Sequence, residues 1–398
     1  MKDALAIILY DHPWEHTSDY ASQTSEYLRK QNLVVGLLLK DARSIKEVFF
    51  GRQHGWFVKK QQTNCYLIKP LFVIPFRRFQ TIVQINMFLN IMLIRFLLQC
   101  MMFLRKNTKK YIWIYNPEHY FIVKLFGPSF VSIYDCVDYH GASETAQKEK
   151  DLVRSSDWVF VNSNILLSAH KKIRNDVHLV PLGFDLHNFS VRPMKLFIQL
   201  PHNQPIIGYI GGINSRLDYL LLFDLVRKNG WLNFVFVGPI QKHESDSVFE
   251  TEVKPNIGTL FRCRNVYHFG YIPKSRIPDI ISQFDICMIP YRTKSMFNAN
   301  SFPMKLFEYF YMGKPVIATP ITELKRFHQF VKIGSTPQTW TRYIKELLRN
   351  PWPEKYKKEQ RILAENNSWE KKIEAIDKMF IESGRQSNRK DPPPSRII

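Results

Sequence analysis

Along most of the chain, short apolar runs alternate with longer segments in which apolar residues recur every third or fourth position. ALAIILY (4–10), SDYASQTSEYLRKQ (18–31) and LVVGLLL (33–39) make the first round, predicting strand, helix, strand and hence a parallel sheet. YIWIYNP (111–117), FVSIYDCVD (130–138), SDWVFVNS (156–163) and VHLVPLGFD (177–185) read as further buried strands whose carboxyl ends carry polar groups. After an irregular polar stretch from Asn188 to Pro205 the alternation restarts with IIGYIGGI (206–213), a helix in RLDYLLLFDLVRKNG (216–230) and NFVFVGP (233–239). NVYHFGYI (265–272), helix IPDIISQF (277–284), DICMIPY (285–291) and PVIAT (315–319) continue it. The fold class is α/β: two doubly wound domains, 1–187 and 201–365, with strand ends expected to face each other across a cleft.

Length agrees with this division, because 398 residues, 45% of them hydrophobic, exceed one ordinary core. Five cysteines, with no CxxC pair, indicate neither a disulfide framework nor a thiolate zinc site, and a reducing cytosol is expected. The opening apolar run is only strand-length and meets charges and a proline at once, so no signal peptide is read there.

The net charge of +21 is concentrated locally. Region 48–117 holds eleven bases and no Asp or Glu: Arg52, Lys59, Lys60, Lys69, Arg77, Arg78, Arg95, Arg105, Lys106, Lys109 and Lys110. An anionic partner follows. Within this region Thr81–Leu104 is long enough to span a bilayer, yet carries Gln84, Asn86, Asn90, Arg95 and Gln99. A helix lying on an anionic membrane surface suits that composition; the alternative is a domain helix buried against a sheet. No nucleic-acid motif accompanies the charge, and nucleic acid is not expected as a partner.

One segment invites a chemical reading. In SFPMKLFEYFYMGKPVIAT (301–319), Ser301 or Asn300 is placed to cap a helix, Pro303 suits the first turn and Gly313 closes it, predicting Pro303–Met312. The amino end of such a helix attracts phosphate, and Lys305 adds a formal charge. Glu308, more than one turn in, is placed to accept from two neighbouring hydroxyls such as those of a ribose; the alternative is a surface glutamate paired with a nearby base.

This segment, together with VPLGFDLHNF (180–189), IGYIGGI and NVYHFGYIPKSRIPDIISQFDICMIPY (265–291), resembles retaining glycosyltransferases of the GT-B fold, in the large fourth sequence family. YDCVD followed by SDWVFVNS is similar to the teichuronic acid biosynthesis branch. The resemblance implies Glu308 on the donor ribose and backbone amides around Ser301, Phe302 and Met304 on the diphosphate or donor sugar. It puts the turn through Tyr271 and Ile272 on the nucleotide base, and the loop carrying Gly212 and Asn214 on the phosphates. It also implies a return helix, 366–383, to the amino-terminal domain, while the Pro-rich segment 384–398 is expected to be disordered.

Departures from the family pattern are equally plain. Asn300 stands where a glutamate is frequent, and Gly212 and Leu217 stand where Arg and Lys are. Arg216, Arg292 or Lys305 are the candidates to supply the diphosphate charge instead. There is no Asp-x-Asp motif, and neither a metal nor a cofactor is expected. Asp135, Asp138 and His140 are expected at the cleft, with Asp138 and His140 as equal candidates to orient the sugar or acceptor. His12, Trp14 and His16 are assigned to the acceptor side.

The expected activity is sugar transfer with retention from a nucleotide-sugar to a lipid-linked or cell-surface polysaccharide precursor, by a cytoplasmic protein peripheral on the membrane. The alternatives are a nucleotide-sugar 2-epimerase on the same fold and a non-catalytic relative that binds a membrane or protein partner.

Overall fold

The computed structural model describes residues 1–10, 20–38, 43–44, 57–72, 80–101, 108–141, 145–190, 198–242 and 249–387. The chain divides into two units, Met1–Val180 with Lys372–Ile398, and Pro181–Lys371. The junction falls at Val180/Pro181, seven residues before 187. The reason is local: Phe184 is stitched to the end of the second unit, its N–H bonding Asn367 O at 2.7 Å and its carbonyl accepting from Trp369 N at 3.0 Å.

In the first unit eight strands lie in the order Val177–Leu179, Trp158–Val161, Val131–Cys136, Lys110–Ile114, Leu5–Tyr10, Leu33–Leu38, Cys65–Ile68 and Val58–Gln62. All neighbours are parallel except the last pair. Leu5–Tyr10 and Leu33–Leu38 are buried along their whole length, as the unbroken apolar runs require. Strand order reverses between Leu5–Tyr10 and Lys110–Ile114, which makes that the switch point of the sheet.

The Gln80–Met101 helix has two unlike faces. Ile91, Ile94 and Leu98 join the core, and Asn90 pairs with both backbone groups of Leu71, accepting from its N–H at 2.7 Å and donating to its carbonyl at 2.6 Å. On the opposite face Ile85, Phe88, Leu89, Met92, Leu93 and Phe96 are exposed, Phe96 by 63%. No helix among the described residues is long and apolar enough to cross a membrane.

The Trp369–Ser387 helix belongs to the first unit from Lys372 onward. Phe380 stacks on Tyr111 at 5.4 Å and packs against Trp158 at 4.8 Å. The helix therefore runs past 383 into the segment expected to be disordered, and 388–398 lie outside the described residues.

In the second unit six parallel strands lie in the order Val266–Phe269, Asn233–Val237, Ile206–Ile210, Ile286–Ile289, Val316–Ala318 and Val331–Ile333. The chain builds outward from Ile206–Ile210, then returns to its other side with Ile286–Ile289. The switch point lies between those two strands, flanked by the loops that begin at Gly211 and Pro290.

Candidate active site

The loop after Ile206–Ile210 is fastened on both sides. Gly211 N donates to Val237 O at 2.8 Å, Ile213 N to Pro239 O at 2.9 Å, and Gln241 N to Ile213 O at 2.9 Å. A Cβ on Gly212 would meet Gln241 Oε1 at 1.8 Å, so the position where the family favours arginine is filled here by a neighbouring side chain. Asn214 is buried and structural: its Oδ1 accepts from Arg216 N at 3.0 Å and its carbonyl from the Tyr219 hydroxyl at 2.9 Å. These bonds make it a turn-maker for the loop. Arg216 carries the charge of the loop, donating from Nε to Asn298 Oδ1 at 3.1 Å and from Nη2 to Ser301 Oγ at 3.0 Å, with its guanidinium 4.7 Å from the Tyr291 ring centre.

The helix bearing Glu308 spans Lys305–Tyr311, shorter than Pro303–Met312. Neither Ser301 nor Asn300 caps it. A separate short helix, Met296–Asn300, ends there, and the Ser301 hydroxyl is engaged by Asn298 O at 3.1 Å and by Arg216. Its carboxyl end closes as expected, on Gly313 at φ 63°, with Gly313 N bonding Phe310 O at 2.9 Å. Phe302 sends its ring into a cluster with Phe307 and Phe327, leaving only its backbone for a ligand.

Lys305 is held between two tyrosines, donating to Tyr209 Oη at 3.1 Å and Tyr291 Oη at 2.6 Å, with Nζ over both rings. An ammonium has three donors, so one remains. Its position is fixed beside the loop: a Cβ on Gly211 would stand 3.1 Å from Nζ. Burial acts to lower the Lys305 pKa, but the Tyr209 and Tyr291 hydroxyls outweigh it and hold the ammonium charged. Burial pushes Tyr209 up to about 12. Tyr291 is also buried, yet Lys305 and then Arg216 bring its phenol below the ordinary value. Neither tyrosine was singled out in the sequence, because both read as strand aromatics; their polar ends matter only once Lys305 is placed between them.

Glu308 lies half-buried, and no described residue donates a hydrogen bond to its carboxylate. Burial pushes its pKa up; Lys274 and then Lys305 oppose the shift, and Asp185 adds to it. Asp185, from the PLGFD segment, is itself paired with Lys274 at 3.1 Å and with Asn188 Nδ2 at 2.7 Å. Burial works against the Asp185 charge, but Lys274 and Asn188 outweigh it and keep the carboxyl below the usual range. Lys274 pairs with Asp185, and Glu308 forms no salt bridge with a described residue. The Asp185–Lys274 pair was missed as a support of Glu308 because its members are 89 residues apart.

The remaining candidates separate. Tyr271 is 65% exposed and Ile272 buried, on the loop whose Gly270 carbonyl accepts from Gly238 N at 2.9 Å. Met304 and Asn300 are half-buried at the two sides of Ser301–Pro303. Arg292 is exposed and lines a cavity of about 580 Å³ with Asp218, Asp224, Glu252 and Lys294. Arg216 and Lys305 both lie over the Tyr291 ring, 4.7 Å from its centre.

In the first unit Asp135 is not an open strand-end carboxylate. It is fully buried, taking Lys372 Nζ at 2.9 and 2.7 Å on its two oxygens and Trp113 Nε1 at 3.2 Å. Its backbone is still within the Val131–Cys136 strand, so its side chain points into the packed unit. Asp138 and His140 follow the strand and are half-buried, with His140 Nδ1 3.5 Å from the Thr145 hydroxyl. His12, Trp14 and His16 lie outside the described residues.

The fold is that of the GT-B glycosyltransferases. Sucrose-phosphate synthase of Thermosynechococcus elongatus superposes with a TM-score of 0.72 at 16% identity, covering 96% of this chain and 100% of that one. HepE of Anabaena, solved with UDP and glucose, gives 0.67 at 14% identity, covering 95% and 99%. Residues 204–350, within the second unit, match the family Glycosyl transferases group 1. Teichuronic acid biosynthesis glycosyltransferase TuaH of Bacillus subtilis strain 168 is 27% identical over 267 residues, which span 60% of this chain and 63% of TuaH.

Proposed function

We propose that this chain is a glycosyltransferase that takes a sugar from a nucleoside diphosphate donor and transfers it with retention to a lipid-linked or polysaccharide acceptor at a membrane surface. The observation that carries the proposal is Glu308: a half-buried carboxylate without a donor among the described residues, three residues beyond a lysine fixed at the switch point of a parallel sheet. Glu308 accepts from the two ribose hydroxyls, and Lys305 and Arg216 face the diphosphate with the amides of Phe302 and Met304. Tyr271 and Ile272 border the base. HepE, on the same fold, was solved with UDP, which supports a nucleoside diphosphate as the ligand class.

Transfer of this kind develops positive charge on the sugar ring and negative charge on the departing diphosphate. The protein's part is to hold both and to present the acceptor hydroxyl on the face the diphosphate leaves. Lys305, kept cationic by its tyrosines, and Arg216 stabilise the leaving group; Asp138 and His140 orient the sugar or acceptor.

The membrane part rests on the Gln80–Met101 helix, whose outward stripe Ile85, Phe88, Leu89, Met92 and Phe96 is exposed within a region of bases without acids. Lys109 and Lys110, nearby in sequence, line a cavity of about 410 Å³ with Tyr111, Trp158 and Phe380, a setting suited to anionic head groups.

The test is nucleoside diphosphate release from UDP-, GDP-, ADP- and dTDP-sugars with and without a membrane extract, with the product anomer read by NMR. Acceptor-dependent release with a retained anomer supports the proposal. Conversion of the donor sugar to its C2 epimer without acceptor supports epimerisation, and no turnover with any donor supports a non-catalytic binder. Flotation on anionic liposomes, lost with Phe88→Ser/Phe96→Ser, tests the surface; equal flotation on neutral lipid would refute it.

A further inference from the structure

A second polar cluster lies in the first unit, made of residues to which the proposed transfer assigns no part. Cys136 ends the Val131–Cys136 strand, Glu149 sits in the first turn of Ala146–Ser155, and His170 in the last turn of Asn164–Lys171. They are 0, 6 and 3% exposed. Sγ, a carboxylate oxygen and a ring nitrogen all lie within 4.8 Å of one another.

Two distances define the cluster: His170 Nε2 is 3.3 Å and Cys136 Sγ 3.4 Å from the same Glu149 Oε1. Around a tetrahedral zinc the corresponding ligand-to-ligand edges are about 3.4 Å for nitrogen–oxygen and about 3.6 Å for sulfur–oxygen. The imidazole supplies an independent sign. Both His170 ring nitrogens are buried without a hydrogen-bond partner, so Nε2 lies near the carboxylate without the alignment a hydrogen bond needs. A buried imidazole with its ring nitrogens unsatisfied is costly unless something else engages one of them.

We propose that Cys136, Glu149 and His170 form a structural site for a divalent transition metal of the zinc class. Thiolate, imidazole and carboxylate are the ligand set of that class, and their two negative charges neutralise a dication in a buried setting. The Tyr134 hydroxyl donates to Glu149 Oε1 at 2.8 Å and its ring stacks on His170, so it supports two of the ligands from outside. Burial and the Glu149 charge keep the Cys136 thiol protonated without a cation. Binding replaces the S–H bond with a sulfur–metal bond and releases one proton to solvent. The ion would tie the strand end to both helices and pin the loop carrying Asp138 and His140. Sequence spacing gave no hint of this, because the three ligands are 13 and 21 residues apart.

The experiment uses the full chain with any affinity tag removed. It measures metal content by mass spectrometry, then adds Zn²⁺ or Co²⁺ to chelator-treated wild type, Cys136→Ser and Glu149→Gln. The expected result is close to one zinc per chain, a Tm rise of about 5 °C on readdition, and a thiolate-to-cobalt charge-transfer band. Cys136→Ser loses the band and the rise. Glu149→Gln, which keeps an acceptor for Tyr134, gives the same answer if the serine variant does not fold. Wild type without retained metal, and without a zinc-dependent rise larger than that of the variants, overturns the proposal in favour of a hydrogen-bonded cluster.

Discussion

Replacing Glu308 by glutamine separates the cost of the carboxylate to the fold from its use to a ligand. Side-chain length is kept, and Leu306, Phe307, Tyr309 and Phe310 around it stay buried. In the unliganded protein nothing described donates to the carboxylate, and burial holds its pKa above the ordinary glutamate value. A raised carboxyl pKa means that the fold favours the neutral form: its stability contribution is complete below the unfolded pKa and is lost as pH rises through the folded one. At pH 7.5 glutamine therefore costs no stability, and its Tm equals or exceeds that of wild type, the gap closing on acidification.

Ligand binding goes the other way. Two hydroxyl hydrogen bonds to a carboxylate are worth about 1.5–3 kcal/mol each. Glutamine offers one uncharged acceptor, so the loss is about 2–3 kcal/mol, or about 30- to 150-fold in Kd. The assay is calorimetry with UDP, GDP and ADP and with the matching 2′- or 3′-deoxy nucleotides. Deoxy analogues bind the wild type weakly and bind the variant no worse than the parent nucleotide. Wild-type binding should also fade on acidification at a pH above the ordinary glutamate range, a step absent from the variant. A glutamine variant that binds as tightly as wild type, or that unfolds several degrees lower, refutes the assignment.

Other expected outcomes follow from the same contacts. Lys372→Met leaves Asp135 fully buried with only the Trp113 N–H among the described donors, a loss of about 3–5 kcal/mol by urea unfolding that adding Asp135→Asn partly restores; an unchanged midpoint would contradict it. Lys305→Met weakens nucleoside diphosphate binding by about 10- to 100-fold, whereas Tyr291→Phe, which leaves the ammonium in place, costs less than tenfold by calorimetry. Gly313→Ala lowers stability by about 1 kcal/mol, because φ is 63° and a Cβ would press on Lys357 at 3.0 Å; a thermal melt reads it.

Strand identities were legible in the sequence because parallel strands buried on both faces leave unbroken apolar runs, and IIGYI and NFVFV are such runs. The site was legible to the extent that it is local. Glu308 and Lys305 share a helix, and Gly313 announces where that helix stops. Its start was misplaced because Ser301, a good cap by type, is claimed by Arg216 from a loop 85 residues earlier. Asp135 was misread for the same reason. A carboxylate near a strand end looks available to a ligand, and only the fold brings Lys372, 237 residues later, to both of its oxygens.

The Gln80–Met101 helix shows how far a composition argument can be carried. Polar residues in its sequence argued against a membrane span, and Asn86 and Asn90 indeed lie on the inward face, buried, with Asn90 bonded to both backbone groups of Leu71. Asn86 and Asn90 leave the outer surface mainly to Ile85, Phe88, Leu89, Met92, Leu93 and Phe96, with Gln84, Arg95 and Gln99 exposed beside them. Mean hydropathy averages over the two faces and so misses the division, whereas a soluble domain helix would turn its apolar stripe inward. Here polar fastening within the unit and apolar exposure outside it occur on one helix, in a region whose charge is all positive. That combination supports the proposed docking on anionic lipid, which would cover the apolar stripe.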